Sequence, residues 1–236
     1  MATFVLVHGA WHGGWCYAEV VRLLSGKGHQ VHAPTLTGLA GTREGGAKPI
    51  NLTTHVNDIV AIIQAGDLRD VILCGHSYAG MVITGVAGQI GHRIRTLFYL
   101  DAAVPEDGQS AFDIVGTERT LGALETAGHD GTHIPPPKAD VFQSKEVHRA
   151  WIDRRCNPHP IGTLIQKLHH TGKEALVPFR TYVLARRYGS QANHTTYDRV
   201  RRLPGWRSIA LDCGHEVMMD EPAMLAALLI DEIART

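Results

Sequence analysis

Apolar and polar positions along this chain alternate between two rhythms. Short unbroken apolar runs have the pattern of strands buried on both faces, and the segments between them repeat at helical spacing. "TFVLVHG", from Thr3, is the first such run. Helical signals follow from Trp15 to about Ser25 and end at Gly26 and Gly28. "HQVHAP" is a second strand, stopped by Pro34, and "TLTGLAGTREGGAKP", from Thr35, is a loop by its Gly, Thr and Pro content. In "NLTTHVNDIVAIIQAG", Val56, Ile59, Val60 and Ile63 recur at helical spacing, with threonines at the start as caps. "DVILCGH" is the third strand, and a helix of small and apolar residues runs from Ala79 to about Gly88. "RTLFYLD", "RTYVLA" and "WRSIAL" are the fourth, fifth and sixth strands. A last helix begins near Glu221, with Pro222 in its first turn, and runs to the end.

Strands separated by helices imply βαβ units and a parallel sheet, hence an α/β fold. One interval breaks the rhythm. Between "FYLD" and "RTYV" lie roughly seventy-five residues with no clear strand, too many for a structureless loop in a compact domain. They hold "IPPP" at 134–137 and helical patches in "KEVHRAWIDRR" and "IGTLIQKLHH". The expected organisation is a core of residues 1–103 and 179–236, with a small helical cap, 104–178, inserted after the fourth strand.

Composition narrows the function classes. The 236 residues suffice for one well-buried domain, with 44% hydrophobic and 19% charged residues and no formal net charge. No basic stripe suggests nucleic acid, and no apolar run is long enough for a membrane span. The N-terminus lacks a basic region before its first apolar run, so no signal peptide is expected. Cys16, Cys74, Cys156 and Cys213 share no metal-type spacing and fit reduced thiols of a cytoplasmic protein. "NLT" at 51 and "NHT" at 193 match a glycosylation tripeptide that carries no meaning there.

Chemistry enters at "ILCGHSYAG", residues 72–80. A serine hydroxyl needs a base within reach and an exposed position, and a tight strand-to-helix turn flanked by small residues supplies the exposure. Ser77 sits on such a turn, with Gly75 two before it, Ala79 two after it and Gly80 next. A base must come from the same sheet edge. His215, in "LDCGHEVMMDEP" after the sixth strand, is placed for that role among fifteen histidines. The Gly-rich "VHGAWHGGW" after the first strand lets backbone N–H groups face the serine. Ala10 N–H and Tyr78 N–H are the expected oxyanion donors. His8 and His12 are four apart, but in a strand-end loop rather than on a helix, so no metal is expected.

"FVLVHGAWHGGWCY", "GHSYAGMVITGVA", "YLDAAVPEDGQS" and "GHEVMMDEP" together resemble the α/β-hydrolase superfamily, in the branch of plant methylesterases, hydroxynitrile lyases and their bacterial esterase relatives. The resemblance spans nearly the whole chain. It implies the α/β-hydrolase fold, a mostly parallel sheet of about six strands flanked by helices, and a cofactor-independent hydrolase. Some bacterial members of this kind look like carbamate hydrolases acting on benzimidazole fungicides. Lyases of this branch carry a threonine after the first-strand histidine and a lysine after the catalytic one. Those positions are Gly9 and Glu216 here, which removes the ammonium that would stabilise departing cyanide.

Most relatives carry the triad acid after the strand equivalent to "RTYVLA". That loop here has no carboxylate before Asp198, which falls inside the next helix. Asp101, at the end of the fourth strand, is the alternative that some lipases and dehalogenases of the superfamily use. Asp212, three before His215, is expected to be structural. The expected function is therefore hydrolysis of a small-molecule ester, carbamate or amide by Ser77, His215 and Asp101. Trp11, Tyr78, Trp151 and Met218 are candidate pocket residues, with Phe112 and Phe142 above the nucleophile edge. The rival readings are a lyase and a non-catalytic binder of a small hydrophobic ligand.

Overall fold

All six expected strands lie in one parallel sheet. The computed structural model describes residues 1–39, 41, 49–127 and 131–235. Part of the loop expected over 35–49 lies outside the described residues, at 40 and 42–48. The strands are β1 (Thr3–Val7), β2 (Gln30–His32), β3 (Val71–His76), β4 (Ile94–Leu100), β5 (Phe179–Ala185) and β6 (Trp206–Leu211). Their spatial order is β2-β1-β3-β4-β5-β6, with every neighbouring pair parallel. The winding reverses between β1 and β3, and in open α/β sheets ligands bind outside the carboxyl ends at such a point.

The apolar runs are continuous because both sheet faces are covered. Val5, Leu73, Leu97, Tyr99 and Tyr182 belong to the cluster that includes α2 (Leu52–Ala65) and α3 (Ala79–Ile90). Their strand neighbours Phe4, Leu6, Ile72, Phe98 and Val183 belong to the opposite cluster, which includes α1 (Ala18–Ser25) and the C-terminal helix (Pro222–Asp231). Period-two side-chain alternation divides each strand between the two clusters. Fully burying a side chain such as Phe98 or Ile72 contributes about 1.5–3 kcal/mol.

Local chemistry adjusts the expected boundaries. The cap of α2 is Asn51, whose side chain accepts from Thr54 N–H at 3.1 Å while Thr54 Oγ1 takes Asn51 N–H at 3.3 Å. The threonines thus assist a cap that Asn51 provides. The inserted region after β4 holds α4 (Ala111–Val115), α5 (Thr117–Glu125), α6 (Glu146–Arg155) and a short α7 (Gly162–Ile165). It also holds an antiparallel pair of two residues each, His133–Ile134 with His159–Pro160, which no sequence signal announced. The helical patch expected over 161–170 stops at Ile165. Beyond it, Leu168 N–H donates to Gln109 O (2.9 Å) and Gly108 N–H donates to Leu168 O (2.8 Å), so strand-like pairing overrides helical propensity. After β5 come α8 (Gln191–Val200), α9 (Val217–Asp220) and α10 (Pro222–Asp231). The end of the last expected helix closes as a 3₁₀ turn at Glu232–Ala234.

The turn from β3 into α3 is packed against the turn after β4. Ser77 N–H donates to Leu100 O (3.2 Å), and Ser77 O accepts from Ala103 N–H (3.0 Å) and Gly80 N–H (3.1 Å). A methyl group on Gly80 would collide with the Ala103 carbonyl. One on Gly75 would lie 2.7 Å from Ala79 O. The close approach falls on Gly80, one position beyond the usual last glycine of the serine motif, which is why Ala79 is accommodated.

Buried histidines fasten the loops above the sheet. His8 Nδ1–H donates to Gly9 O (2.8 Å), and its Nε2 accepts from Leu36 N–H (3.1 Å). His55 Nε2–H donates to Thr37 O (2.9 Å), and its Nδ1 accepts from Tyr78 OH (3.1 Å). His159 Nδ1 accepts from Trp11 N–H (3.3 Å), and its Nε2–H donates to Thr163 Oγ1 (2.7 Å). Each ring uses one donor and one acceptor, the neutral form. Burial pushes His8 down to about 3 and lowers His55 and His159 as well.

Two outcomes test this packing. Gly80→Ala should destabilise the fold by at least ~2 kcal/mol through overpacking against backbone, whereas Ala79→Gly should cost only about 1 kcal/mol. A wild-type melting temperature for Gly80→Ala would contradict the contact. The histidines set an acid limit. Unfolded, they protonate near 6.5; folded, they resist until lower pH, His8 until about 3. Below about 6.5 the unfolded state therefore binds more protons, and stability falls as pH drops, by up to ~1.4 kcal/mol per pH unit for each ring. Calorimetry between about pH 7 and 5 should show a falling melting temperature, and a flat profile would mean the rings are not held neutral.

Candidate active site

Three of the six non-glycine residues with left-handed φ, among those described, stand at the carboxyl edge of the sheet. They are Trp11 (+65°), Ser77 (+55°) and Asp101 (+46°). Such backbone costs about 1–3 kcal/mol per residue and persists only where the surroundings enforce it. Ser77 is enforced by the turn packing already described. Asp101 is held by its N–H donating to Val183 O (2.7 Å) and by Asn193 Nδ2 donating to its carbonyl (3.0 Å). Trp11 is held by the inserted region: its N–H meets His159, its indole N–H donates to Ile134 O (3.0 Å), and its carbonyl accepts from Asn157 N–H (2.9 Å).

Asp101 and His215 meet directly. His215 Nδ1–H donates to Asp101 Oδ2 at 2.6 Å, with both side chains buried. Asp101 Oδ1 accepts from Ala185 N–H (3.1 Å), so both carboxylate oxygens are occupied. The bond to Nδ1 leaves His215 Nε2 without a proton in the neutral ring. The ring stacks on Tyr188 with centroids 4.1 Å apart, and Phe142 lies on it at 5.9 Å. Its backbone is fixed too: His215 N–H donates to Phe142 O (2.9 Å), and its carbonyl accepts from His76 Nε2–H (3.0 Å). Among the described residues no hydrogen bond joins Ser77 Oγ to this ring.

Ser77 opens onto a cavity of about 390 Å³. Its walls include Ala10, Trp11 and Tyr78 from the core and Phe112, Pro136 and Phe142 from the inserted region. Within the described residues the Ala10 and Tyr78 N–H groups donate to no protein acceptor. A second hollow of about 350 Å³, beside α4 and α8, reaches neither Ser77 nor His215.

Two expected pocket residues lie elsewhere. Trp151, on α6, packs edge-on against Trp15 at 4.8 Å, with the Arg155 guanidinium 5.0 Å over its ring. Met218 is buried in the core on the α1 and α10 side of the sheet. Neither lines the cavity, because α6 and α9 turn those positions away from it. Asp198 is exposed on α8 and pairs with Arg201 at 2.9 Å. Asp212 is exposed, with Arg187 Nε 3.9 Å from its carboxylate. Tyr188 was missed. It follows β5, in the loop where only a carboxylate was sought, and stacking aromatics leave no sequence signature.

The His8 and His12 rings do not form a metal pair. Both His8 nitrogens are engaged, and His12 Nδ1–H donates to Ala10 O (2.8 Å) while its Nε2 lies 3.3 Å from Glu216 Oε2. His76, His215 and Glu216 do bring one donor atom each within 4.8 Å of one another. In this group Asp101 engages only the Nδ1 of His215, and His12 faces Glu216. No helix of the described residues is long and apolar enough to cross a membrane.

Comparison with known proteins agrees with this architecture. The model of the alpha/beta hydrolase family matches residues 4–228. The chain is 40% identical over 239 residues to a carbendazim hydrolyzing esterase of Nocardioides sp. (strain SG-4G), covering 97% of this chain and 98% of that protein. It is 32% identical over 167 residues to methylesterase 1 of Arabidopsis thaliana, covering 66% of this chain and 51% of that protein. An extracellular alpha/beta-hydrolase from a Paenibacillus species superposes with a TM-score of 0.84 at 25% identity, covering 98% of this chain and 99% of that one. A pyrethroid hydrolase from Sphingobium faniae JZ-2 shares the fold, with a TM-score of 0.77 at 22% identity over 99% of this chain and 98% of that one. With the fold, the strained serine turn and these relatives together, the chain belongs to the alpha/beta hydrolase family and is an esterase of the serine-hydrolase type acting on small-molecule esters.

Proposed function

We propose that Ser77 is the nucleophile of this esterase, His215 its general base and Asp101 the triad acid. The observation that carries the reading is the buried 2.6 Å bond from His215 to Asp101. It selects the tautomer whose Nε2 can take the serine proton. Ser77 Oγ attacks the substrate carbonyl as His215 accepts that proton, in a hydrogen bond that tightens once substrate is bound. Charge on the carbonyl oxygen is met by the Ala10 and Tyr78 N–H groups. His215 then protonates the leaving group, and water cleaves the acyl-enzyme through the same base.

The substrate class proposed is a methyl carbamate or ester on a flat aromatic group. The aromatic and proline walls of the cavity support it, and so does the similarity to the Nocardioides protein, since carbendazim is a methyl carbamate on a benzimidazole. The insertion over 104–178 serves as the specificity cap on the core of 1–103 and 179–236. Four free thiols support a cytoplasmic site of action. The lyase alternative is disfavoured because Glu216, a carboxylate, occupies the position of the ammonium that cyanide release requires.

Ser77→Ala should fold with the wild-type melting temperature, lose turnover of both an aryl acetate and a methyl N-arylcarbamate, and resist labelling by a fluorophosphonate. Turnover of the folded variant would remove Ser77 from the mechanism, and a wild-type protein that turned over only a cyanohydrin would favour the lyase. For the acid, Asp101→Asn should lower kcat by up to ~10⁴-fold through the wrong imidazole tautomer, while Asp198→Asn leaves it unchanged. Full kcat in folded Asp101→Asn, with only its melting temperature reduced, would make Asp101 a turn residue instead.

A further inference from the structure

Glu216 is a fully buried carboxylate, and neither of its oxygens has a hydrogen-bond donor. Its nearest positive group is His12, with Nε2 3.3 Å from Oε2, a distance that makes an ion pair without the alignment of a hydrogen bond. His12 is itself 1% exposed. Its other nitrogen donates to the Ala10 carbonyl, which can only accept, so Nδ1 carries a proton. Nε2 faces the Glu216 carboxylate and, at 3.8 Å, the Cys156 sulfur, both of which accept from it, so that nitrogen is best protonated as well and His12 is a cation. Burial alone would push the imidazole down, but Glu216 overrides this and raises it well above its usual value. Burial would likewise raise the Glu216 carboxyl, yet His12 brings it down to about 2.

A buried pair of this kind gives weak net stability, because desolvation offsets the attraction. Its position gives it another use. Glu216 follows His215 in the chain, and His12 follows the Ala10–Trp11 loop. We propose that His12 and Glu216 act as one positioning device, which clamps the loop bearing Ala10 to the loop bearing His215 and cancels a second carboxylate beside that ring. The proposal rests on His215 being the base.

The charges around His215 make the second part concrete. Asp101 faces it from the end of β4, and Glu216 from its own loop. His76, from the end of β3, is neutral: its Nε2–H is spent on the His215 carbonyl, and burial first, then the His215 charge, lowers it well below its usual value. From the turn after β5 comes the Tyr188 phenol, which accepts from Arg119 at 3.3 Å. Asp220, on α9, is answered by His148 and by Lys145 N–H. Phe142 contributes only a ring and a carbonyl. With His12 charged, one of the two carboxylates facing His215 is answered, and the Asp101 charge is left to meet the proton that His215 takes from serine. Without His12 both carboxylates would face the ring unanswered, which favours its charged form.

The test uses His12→Gln, Glu216→Gln and the double variant, with p-nitrophenyl acetate as substrate. His12→Gln should move the acid limb of the kcat/KM profile upward by about one pH unit or more. In Glu216→Gln the orphaned His12 becomes neutral and the limb stays low. The double variant should return the limb to the wild-type position. A limb unmoved in folded His12→Gln, with only its melting temperature reduced, would leave the pair a packing feature and overturn the proposal. Should His12→Gln fail to fold, nitrogen NMR of ¹⁵N-histidine-labelled wild type decides. At about pH 8.5 one imidazolium with both ring nitrogens protonated should persist, and it should vanish in Glu216→Gln. Absence of any such imidazolium overturns the pair, whatever the role of His215. If His215→Ala keeps its activity, it is the reading of the base that fails instead.

Discussion

Gly80 lies against the backbone of Ala103, and much of the site's geometry follows from that contact. It presses the turn after β3 onto the turn after β4. Ser77 and Asp101 are both driven into left-handed backbone there, linked through hydrogen bonds that run from β3 to β4 and from β4 to β5. Neighbouring parallel strands stand about 4.8 Å apart, so the sheet itself sets the spacing between serine and carboxylate. A side chain at position 80 would separate the turns and lengthen that spacing. The precision of the site therefore comes from the rigid part of the molecule, and strain at its edge is sustained by the packed core beneath.

The inserted region does more than roof the cavity. Trp11 depends on it for three hydrogen bonds, and the Ala10 peptide is the one just before Trp11. His159 and Asn157 thus hold the loop of the proposed oxyanion donor Ala10, which belongs to the core by sequence. Phe142 likewise supplies the carbonyl for His215 N–H. In the proposed mechanism, cap and catalytic loops form one mechanical unit. Changes meant to alter substrate range are best confined to walls such as Phe112, which carries no such bond to either loop.

The buried histidines in this unit are neutral where they can be. His8, His55 and His159 are buried with matched partners. Next to the His215 ring the carboxylates are Asp101 and Glu216, with His12 against Glu216, and each of these touches a loop of the site. An apolar surrounding amplifies whatever charge remains, so a single substitution there acts on the basicity of His215 as well as on stability.

Ser77, His215 and Asp101 stand out in the sequence as candidates because strand periodicity is a local property. Six apolar runs locate six strand ends, and reactive residue types at those ends stand out against them. The missing carboxylate after β5 made Asp101 the better candidate without any three-dimensional information. Trp151 and Met218 were misplaced because the facing of a short helix depends on what it packs against. Trp151 found Trp15, and Met218 found the opposite sheet face. Tyr188, the strand pair at 133–134 and 159–160, and the His12–Glu216 pair join residues remote in sequence, and nothing local marks them. Periodicity and turn chemistry were enough to determine the fold class and the candidate reacting groups. Tertiary structure alone decided which side chains wall the cavity and where the buried charges lie, because both depend on contacts between distant segments whose formation no local pattern encodes.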